Sequence, residues 1–346
     1  MVDVLRAHAN FRDPVGLLLR MLRSGDQGAR AALVREVSRL ALAPLDLALE
    51  SRERKRIADA EGPMQPLVLI VGGSRAGTTL VYQTLARHLP VTYFTNISSL
   101  FPRAPLTATK FFQSGPQNAR VRFHSYYGNT VSLAGPNDAF HIWNRWLGAD
   151  RYRAPQSLSD KSVGDMRQFL TAWTRTFGRP LLNKNNRNAD CVALLGRVLP
   201  EATFVVVRRD PVRVAQSLLV AREEIQGSKR WKWGVRSEDQ ESETDPLGYV
   251  NVVCRQIMDV ERKLAEDTRT LPAARLIEIQ YEAFCENPAG SIVEISRRVW
   301  GAPSSTLPVV PEVQPHRQSD NRSRVTPEEL ERIRGCLTGF ERIRAG

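Results

Sequence analysis

The sequence predicts an α/β fold, a central parallel sheet in one large domain (63–346), preceded by an N-terminal helical extension over residues 1–62. Three observations carry this. LVLIV (67–71) is a short continuous apolar run bounded by glycines, the pattern of a strand buried on both faces. Further short apolar or β-branched runs follow it: VTYFT (91–95), LLN (181–183), FVVVR (204–208) and RLIEI (275–279). Helix-like stretches fall between or after them, at 78–89, 189–199, 212–225, 249–268 and 282–299, and such alternation implies parallel pairing.

Within residues 1–60, Leu33, Val34, Val37, Leu40 and Ala41 recur at helical spacing, and Pro44 interrupts the run before LDLALESRERKR. VGLLLRMLR is both apolar and basic, so this region reads either as helices packed on the main domain or as a face for a membrane or partner. Between residues 96 and 165 the alternation weakens into aromatic, glycine- and proline-rich sequence such as FHSYYGNTVSLAGPNDAFHIWNRW, a long excursion of the kind that carries a binding pocket. No internal repeat is visible.

With 346 residues, 42% hydrophobic and 25% charged, the chain can bury a full core. Lys and Arg outnumber Asp and Glu by 49 to 37, a formal charge of +12, so anionic partners are expected. Nucleic acid is not among them, because the basic residues are spread along the chain without a zinc spacing, helix-turn-helix or RNA-binding signature. Cys191, Cys254, Cys285 and Cys336 lie far apart and outside any CxxC pair, which argues against a zinc site or a disulfide framework and for a reducing cytoplasm. No stretch approaches the roughly 20 apolar residues of a membrane span, and MVDVLRAHANFRD lacks a signal-peptide core.

The strongest local signal is LVLIVGGSRAGTTLVYQTLARHL: strand, glycine-rich loop, helix. Gly72, Gly73 and Gly77 let backbone approach a phosphate, and the amides of Gly77, Thr78 and Thr79 open a helix whose dipole favours an anion. Gly72 and Gly77 match the GxxxxGK[ST] pattern, but Thr78 stands at its lysine, which weakens an ordinary ATP or GTP hydrolase. The positive charge sits instead at Arg75, whose donor fork suits the oxygens of a transferring group. A second segment, ATFVVVRRDPVRVAQSLLVARE, delivers Arg208 and Arg209 at a strand's end. Asp210 and Pro211 then start a helix that carries Ser217 eight residues after Arg209. Either segment alone is also compatible with an unliganded turn.

Together the two segments resemble the sulfotransferase superfamily, in particular its bacterial and tyrosylprotein members. There a PRSGTT-type loop holds a 5′-phosphosulfate, and an RDP arginine with a serine eight positions later holds a 3′-phosphate. The resemblance covers about residues 66–300. It implies a P-loop-NTPase-like three-layer sandwich and the donor 3′-phosphoadenosine 5′-phosphosulfate (PAPS), with 3′-phosphoadenosine 5′-phosphate (PAP) as product and no metal. Gly73, Ser74, Arg75, Ala76, Gly77, Thr78 and Thr79 then line the phosphosulfate, with Ala76 in place of the usual serine, and Arg209 with Ser217 takes the 3′-phosphate. LLNKNNRNADCVALLGRVLPEATF looks like the NKDP or EKTP stretch and assigns Lys184 to the transferring sulfuryl group; IQYEAFCENP resembles YEDL and places Tyr281 near the nucleotide. One departure matters. The catalytic glutamate of the tyrosylprotein enzymes, 21 positions after the loop arginine, is replaced by Asn96, which cannot act as a base.

Sulfuryl transfer is an in-line displacement dominated by positioning and charge neutralisation, so Arg75, Lys184 and the loop amides can act where a kinase uses Mg²⁺. The acceptor hydroxyl of a glycan, lipid or small molecule needs a general base, and Asp138, His141 and His124 are the candidates. Asp138 and His141 share a face if GPNDAFHIW is helical; the plain structural roles are a helix N-cap for Asp138 and a packed or solvated histidine for His141. His88 ends the first helix of the domain, and His316 lies in a polar tail segment suited to closing over the nucleotide. Trp143, Trp146 and Trp173 suit core packing or stacking on a sugar or lipid. The rivals are a kinase or NTPase with a degenerate loop, and a non-catalytic nucleotide or sulfated-glycan binder.

Overall fold

The structure, a computed structural model, describes residues 11–112, 121–239, 244–301 and 324–340. Its centre is a five-stranded parallel sheet of β1 (Leu67–Val71), β2 (Thr92–Tyr93), β5 (Leu181–Lys184), β6 (Ala202–Arg208) and β7 (Leu276–Gln280), in the order β2-β5-β1-β6-β7. β1 lies between β5 and β6, with Ile70 opposite Lys184 and Val205, so the loop after β1 opens beside the ends of both neighbours. All five residues of β1 are buried because both sheet faces are covered. Leu67, Leu69 and Val71 pack against α8 (Asp160–Phe177) through Phe169, Leu170 and Trp173, and against α11 (Gly248–Thr268) through Val260 and Leu264. Val68 and Ile70 face the other way, onto Val81, Tyr82 and Leu85 of α4 (Thr78–His88) and Ile292 and Ile295 of α13 (Pro288–Trp300). The alternation of side chains along a strand thus produces the three layers.

Several expected elements are shorter or broken. The run at 91–95 pairs as a strand only at Thr92–Tyr93, with an isolated bridge from Thr95 to Pro136. The stretch 189–199 divides into a 3₁₀ turn, Asn186–Asp190, and α9, Val192–Val198. The stretch 282–299 divides at Asn287 into α12 (Tyr281–Glu286) and α13, because Pro288 cannot continue a preceding helix but can start a new one.

The N-terminal region forms three helices, α1 (Pro14–Arg23), α2 (Gln27–Ala41) and α3 (Ala43–Ala58), with Pro44 in the first turn of α3. They are tied to the sheet domain by polar contacts. Asp46 accepts from the amides of Arg103 and Ala104, Glu53 from those of Leu106 and Thr107, and Arg20 donates to the carbonyls of Glu224 and Ile225. Of the apolar stripe of α2, Leu33 packs against the cluster of Met21, Ala29 and Tyr126, but the rest does not face inward. Val34, Val37 and Leu40 are 65%, 68% and 57% exposed, and on α1 Val15, Leu18, Leu19 and Leu22 are exposed as well. No helix among the described residues is long and apolar enough to cross a membrane.

Candidate active site

The carboxyl edge of the sheet gathers the segments singled out in the sequence. The loop after β1 ends at Gly77, whose φ of 94° lies in the left-handed region and whose missing Cβ leaves room for Tyr281; a Cβ there would stand 2.1 Å from its ring. Gly77 brings no side-chain acceptor to the first turn of α4, so that helix end is open to an anion. Thr78 is buried and donates to Asn186 Oδ1 at 3.1 Å, while Ser74 accepts from the Val235 amide. Gly73, Ser74 and Ala76 line a small cavity with Arg209, Pro211 and Val214.

The adjacent arginines at the end of β6 have different fates. Arg208 is buried against Glu261 and Glu278 and belongs to the scaffold. Arg209 turns to the loop: Nη1 donates to the Arg75 carbonyl at 3.1 Å, the guanidinium stacks 4.6 Å from the Tyr281 ring centre, and Glu282 stands 3.9 Å away. Burial pushes the Tyr281 phenol up to about 12, so it remains a neutral platform at physiological pH. Arg75, itself at a φ of 71°, donates from Nε to Ser217 Oγ at 2.8 Å. Arg75, Arg209, Ser217 and Tyr281 therefore form one cluster. Burial, and next the Arg209 charge, hold the Arg75 guanidinium below the usual arginine range against the opposing pull of Tyr127 and other groups. A pair of adjoining cations, Arg209 buried and Arg75 half-buried, is relieved by an anion.

The other cation stands on β5. Lys184 is 1% exposed, and its Nζ donates to Asp138 Oδ2 at 2.8 Å. Asp138 is neither a helix N-cap nor on a helical face with His141, because α7 (Phe140–Leu147) starts after Ala139, which takes the left-handed conformation. Its place is set by Asn137, which donates to Asn96 Oδ1, accepts from the Ala139 amide, and offers its carbonyl to Asn183. Asn96 donates in turn to Thr130 and Ser132. The residue at the tyrosylprotein glutamate position is thus a clamp on this loop. His141 has its Nε2 enclosed without a partner, and burial, then Arg145, push its imidazole down to about 3, which makes it a poor proton acceptor near neutrality. His124 bonds Asp26 beside the N-terminal helices and His88 ends α4; His316 lies outside the described residues. Trp143 and Trp173 are fully buried core residues, with indole donors on Asn183 and Thr92; Trp146 packs edge-on against Trp143.

A feature not foreseen from the sequence covers this site. β3 (Ser125–Tyr126) and β4 (Asn129–Thr130) form a hairpin whose turn residues, Tyr127 and Gly128, have φ of 47° and 91°. Both values are those of the tight turn that suits hairpin twist, and the glycine in YYGN was its signal. The Tyr127 ring lies 4.9 Å from the Arg75 guanidinium, and its hydroxyl donates to Glu224. A Cβ on Gly128 would stand 3.5 Å from Asp138 Oδ2, 3.7 Å from Lys184 Nζ and 3.9 Å from Thr79 Oγ1. The hairpin therefore joins the arginine cluster to the Lys184–Asp138 pair.

Residues 66–299 match the sulfotransferase family. The chain belongs to this family. Among solved structures, sulfotransferases from Mycobacterium avium and Mycobacterium tuberculosis share the fold. The first has 14% identity and a TM-score of 0.51, covering 90% of this chain and 76% of its own; the second has 11% and 0.50, covering 97% and 91%. No curated protein sequence matches. The sulfotransferase fold puts strand ends, loop and helix N-terminus at one edge, where a ligand of an open α/β sheet is expected.

Proposed function

We propose that this sulfotransferase moves the sulfuryl group of PAPS to the hydroxyl of a glycan, lipid or small molecule. The observation that carries the reading is the pair of cation sites at one sheet edge, Arg75–Arg209–Ser217 and Lys184–Asp138, bridged by the glycine-rich loop and the open end of α4. A donor with two separated anionic groups fits two separated buried cation sites. Arg209, Ser217 and Arg75 take the 3′-phosphate end, Tyr281 flanks them, and Lys184 with the amides of Gly77, Thr78 and Thr79 takes the phosphosulfate. Arg75 joins the 3′-phosphate end because its side chain bonds Ser217.

In the transfer, Asp138 accepts the hydroxyl proton, the acceptor oxygen bonds to sulfur, and the bond from sulfur to the bridging oxygen breaks. The electron pair stays on the 5′-phosphate of PAP, and Lys184 neutralises that charge as it develops. The proposed step requires no metal ion, since Lys184 and the loop amides supply the neutralising charge. The wide sequence spacing of Cys191, Cys254, Cys285 and Cys336, outside any CxxC pair, supports a reducing, cytoplasmic home. The test is incubation with PAPS and a panel of alcohol, phenol and sugar acceptors, with and without EDTA, while PAP release is followed. EDTA-resistant PAP release is expected. Activity that vanishes with EDTA and returns with Mg²⁺ points back to a kinase instead.

A further inference from the structure

The acceptor side of the site holds more positive charge than its carboxylate can balance. Lys184 bonds Asp138 directly, and Asp138 also pulls electrostatically on Arg35, after Glu36, and on Arg151, after Tyr152. Arg35 bonds the hairpin whose Gly128 adjoins Asp138, and Arg151 stacks on Phe140, two residues beyond it. Arg35 comes from α2 of the N-terminal region and donates to Asn129 Oδ1 at 2.8 Å and to the Thr130 carbonyl at 3.4 Å, both neutral acceptors. Arg151 has no hydrogen bond or ion pair among the described residues. Its Nε is enclosed without an acceptor, and its guanidinium lies 4.7 Å from the centre of the Phe140 ring. Behind it, fully buried Arg187 donates from Nη1 to Asn144 Oδ1 and to the carbonyls of Gly148 and Asp150, leaving Nε and Nη2 without partners. The other carboxylate that acts on both Arg35 and Arg151, Glu36, is 62% exposed and bonded to Arg39.

Once the donor engages Lys184, Arg35 and Arg151 are left with Asp138 and the exposed, Arg39-bonded Glu36. An enclosed guanidinium nitrogen without an acceptor is costly, and the outer nitrogens of a planar fork match carboxylate, phosphate and sulfate oxygens. We propose that the acceptor carries an anionic group, a carboxylate, phosphate ester or sulfate ester, which Arg35 and Arg151 hold beside Asp138. The inference rests on the reading of this edge as the sulfuryl-transfer site. It makes the N-terminal helices part of the acceptor site, since Arg35 reaches it from α2. An anion held there sets the acceptor hydroxyl against Asp138 and away from the arginine cluster reserved for the donor.

The experiment uses the full chain saturated with PAP, so that anions cannot enter the donor site. Calorimetry compares glucose with glucuronate, glucose 6-phosphate and glucose 6-sulfate. At least one anionic sugar should bind tenfold or more tighter than glucose, with a preference that shrinks as salt is raised. Arg151→Gln and Arg35→Gln should each cut that preference to threefold or less while PAP affinity stays within twofold of wild type. Equal affinity for all four sugars, or binding by none, overturns the inference, as does a preference that survives both substitutions. Failure of PAP itself to bind is a separate result, which brings down the sulfotransferase site.

Discussion

Asp138→Asn tests the centre of the mechanism, and the burial of the pair sets the size of its effect. Lys184 is 1% exposed and Asp138 19% exposed, so neutralising the carboxylate strands a buried ammonium. Removing one partner of a buried pair costs about 3–5 kcal/mol, and the partial exposure of Asp138 argues for the lower end. With an unfolding entropy of about 2.1 cal/mol/K per residue, 3 kcal/mol corresponds to a fall in Tm of about 4 °C for a chain of this length. If Lys184 faces the donor, the 5′-phosphate of PAP replaces the lost anion, and saturating PAP should recover most of the deficit. Turnover should not recover, because the loss of a general base costs about 10² to 10⁴ in kcat. Thermal unfolding with and without PAP, beside a PAP-release assay, reads both effects on one purified variant. A kcat within threefold of wild type refutes Asp138 as the base. A Tm deficit that PAP leaves untouched refutes the placement of Lys184 on the donor.

Arg75→Ala should weaken PAP binding by about ten- to a hundredfold, the value of a charge-assisted contact, because its guanidinium stands with Ser217 and Arg209; calorimetric PAP affinity equal to wild type contradicts that placement. His141 gives a pH signature. Its folded value of about 3 lies below the ordinary 6.5, so its contribution is fully present above pH 6.5 and is lost as pH falls towards 3. Between pH 7 and 4.5 that loss is about 2–3 kcal/mol, and urea midpoints of His141→Gln should decline less than those of wild type over this range; parallel declines would show that the imidazole is not kept neutral. Finally, the exposed apolar and basic face of α1 should bind vesicles containing phosphatidylglycerol, and the double substitution Leu18→Asp, Leu22→Asp should abolish co-sedimentation. Wild-type protein that stays in the supernatant removes the membrane reading.

Features whose physics is local were legible in the chain. A continuous apolar run becomes a strand buried on both faces, as in β1, and glycine at position 77 permits both the left-handed turn and the close approach of Tyr281. The spacing from Arg209 to Ser217 puts the serine two turns into α10 (Pro211–Gln226), and this too is decided within a few residues. Tertiary structure decided which charges meet. Of two adjacent arginines, Arg208 goes to Glu261 and Glu278 and Arg209 to the loop, because successive residues at a strand's end point to opposite sides. The Lys184–Asp138 pair spans 46 residues, and Arg35 reaches Asn129 across 94; neither leaves a periodic trace in the chain. The stripe of Leu33, Val34, Val37 and Leu40 marked α2 as a helix but not its orientation: helix packing is settled by whichever face the neighbours complement, and here Ala29, Ala32 and Leu33 pack inward and Arg35 bonds the hairpin, while Val34, Val37 and Leu40 are left to solvent.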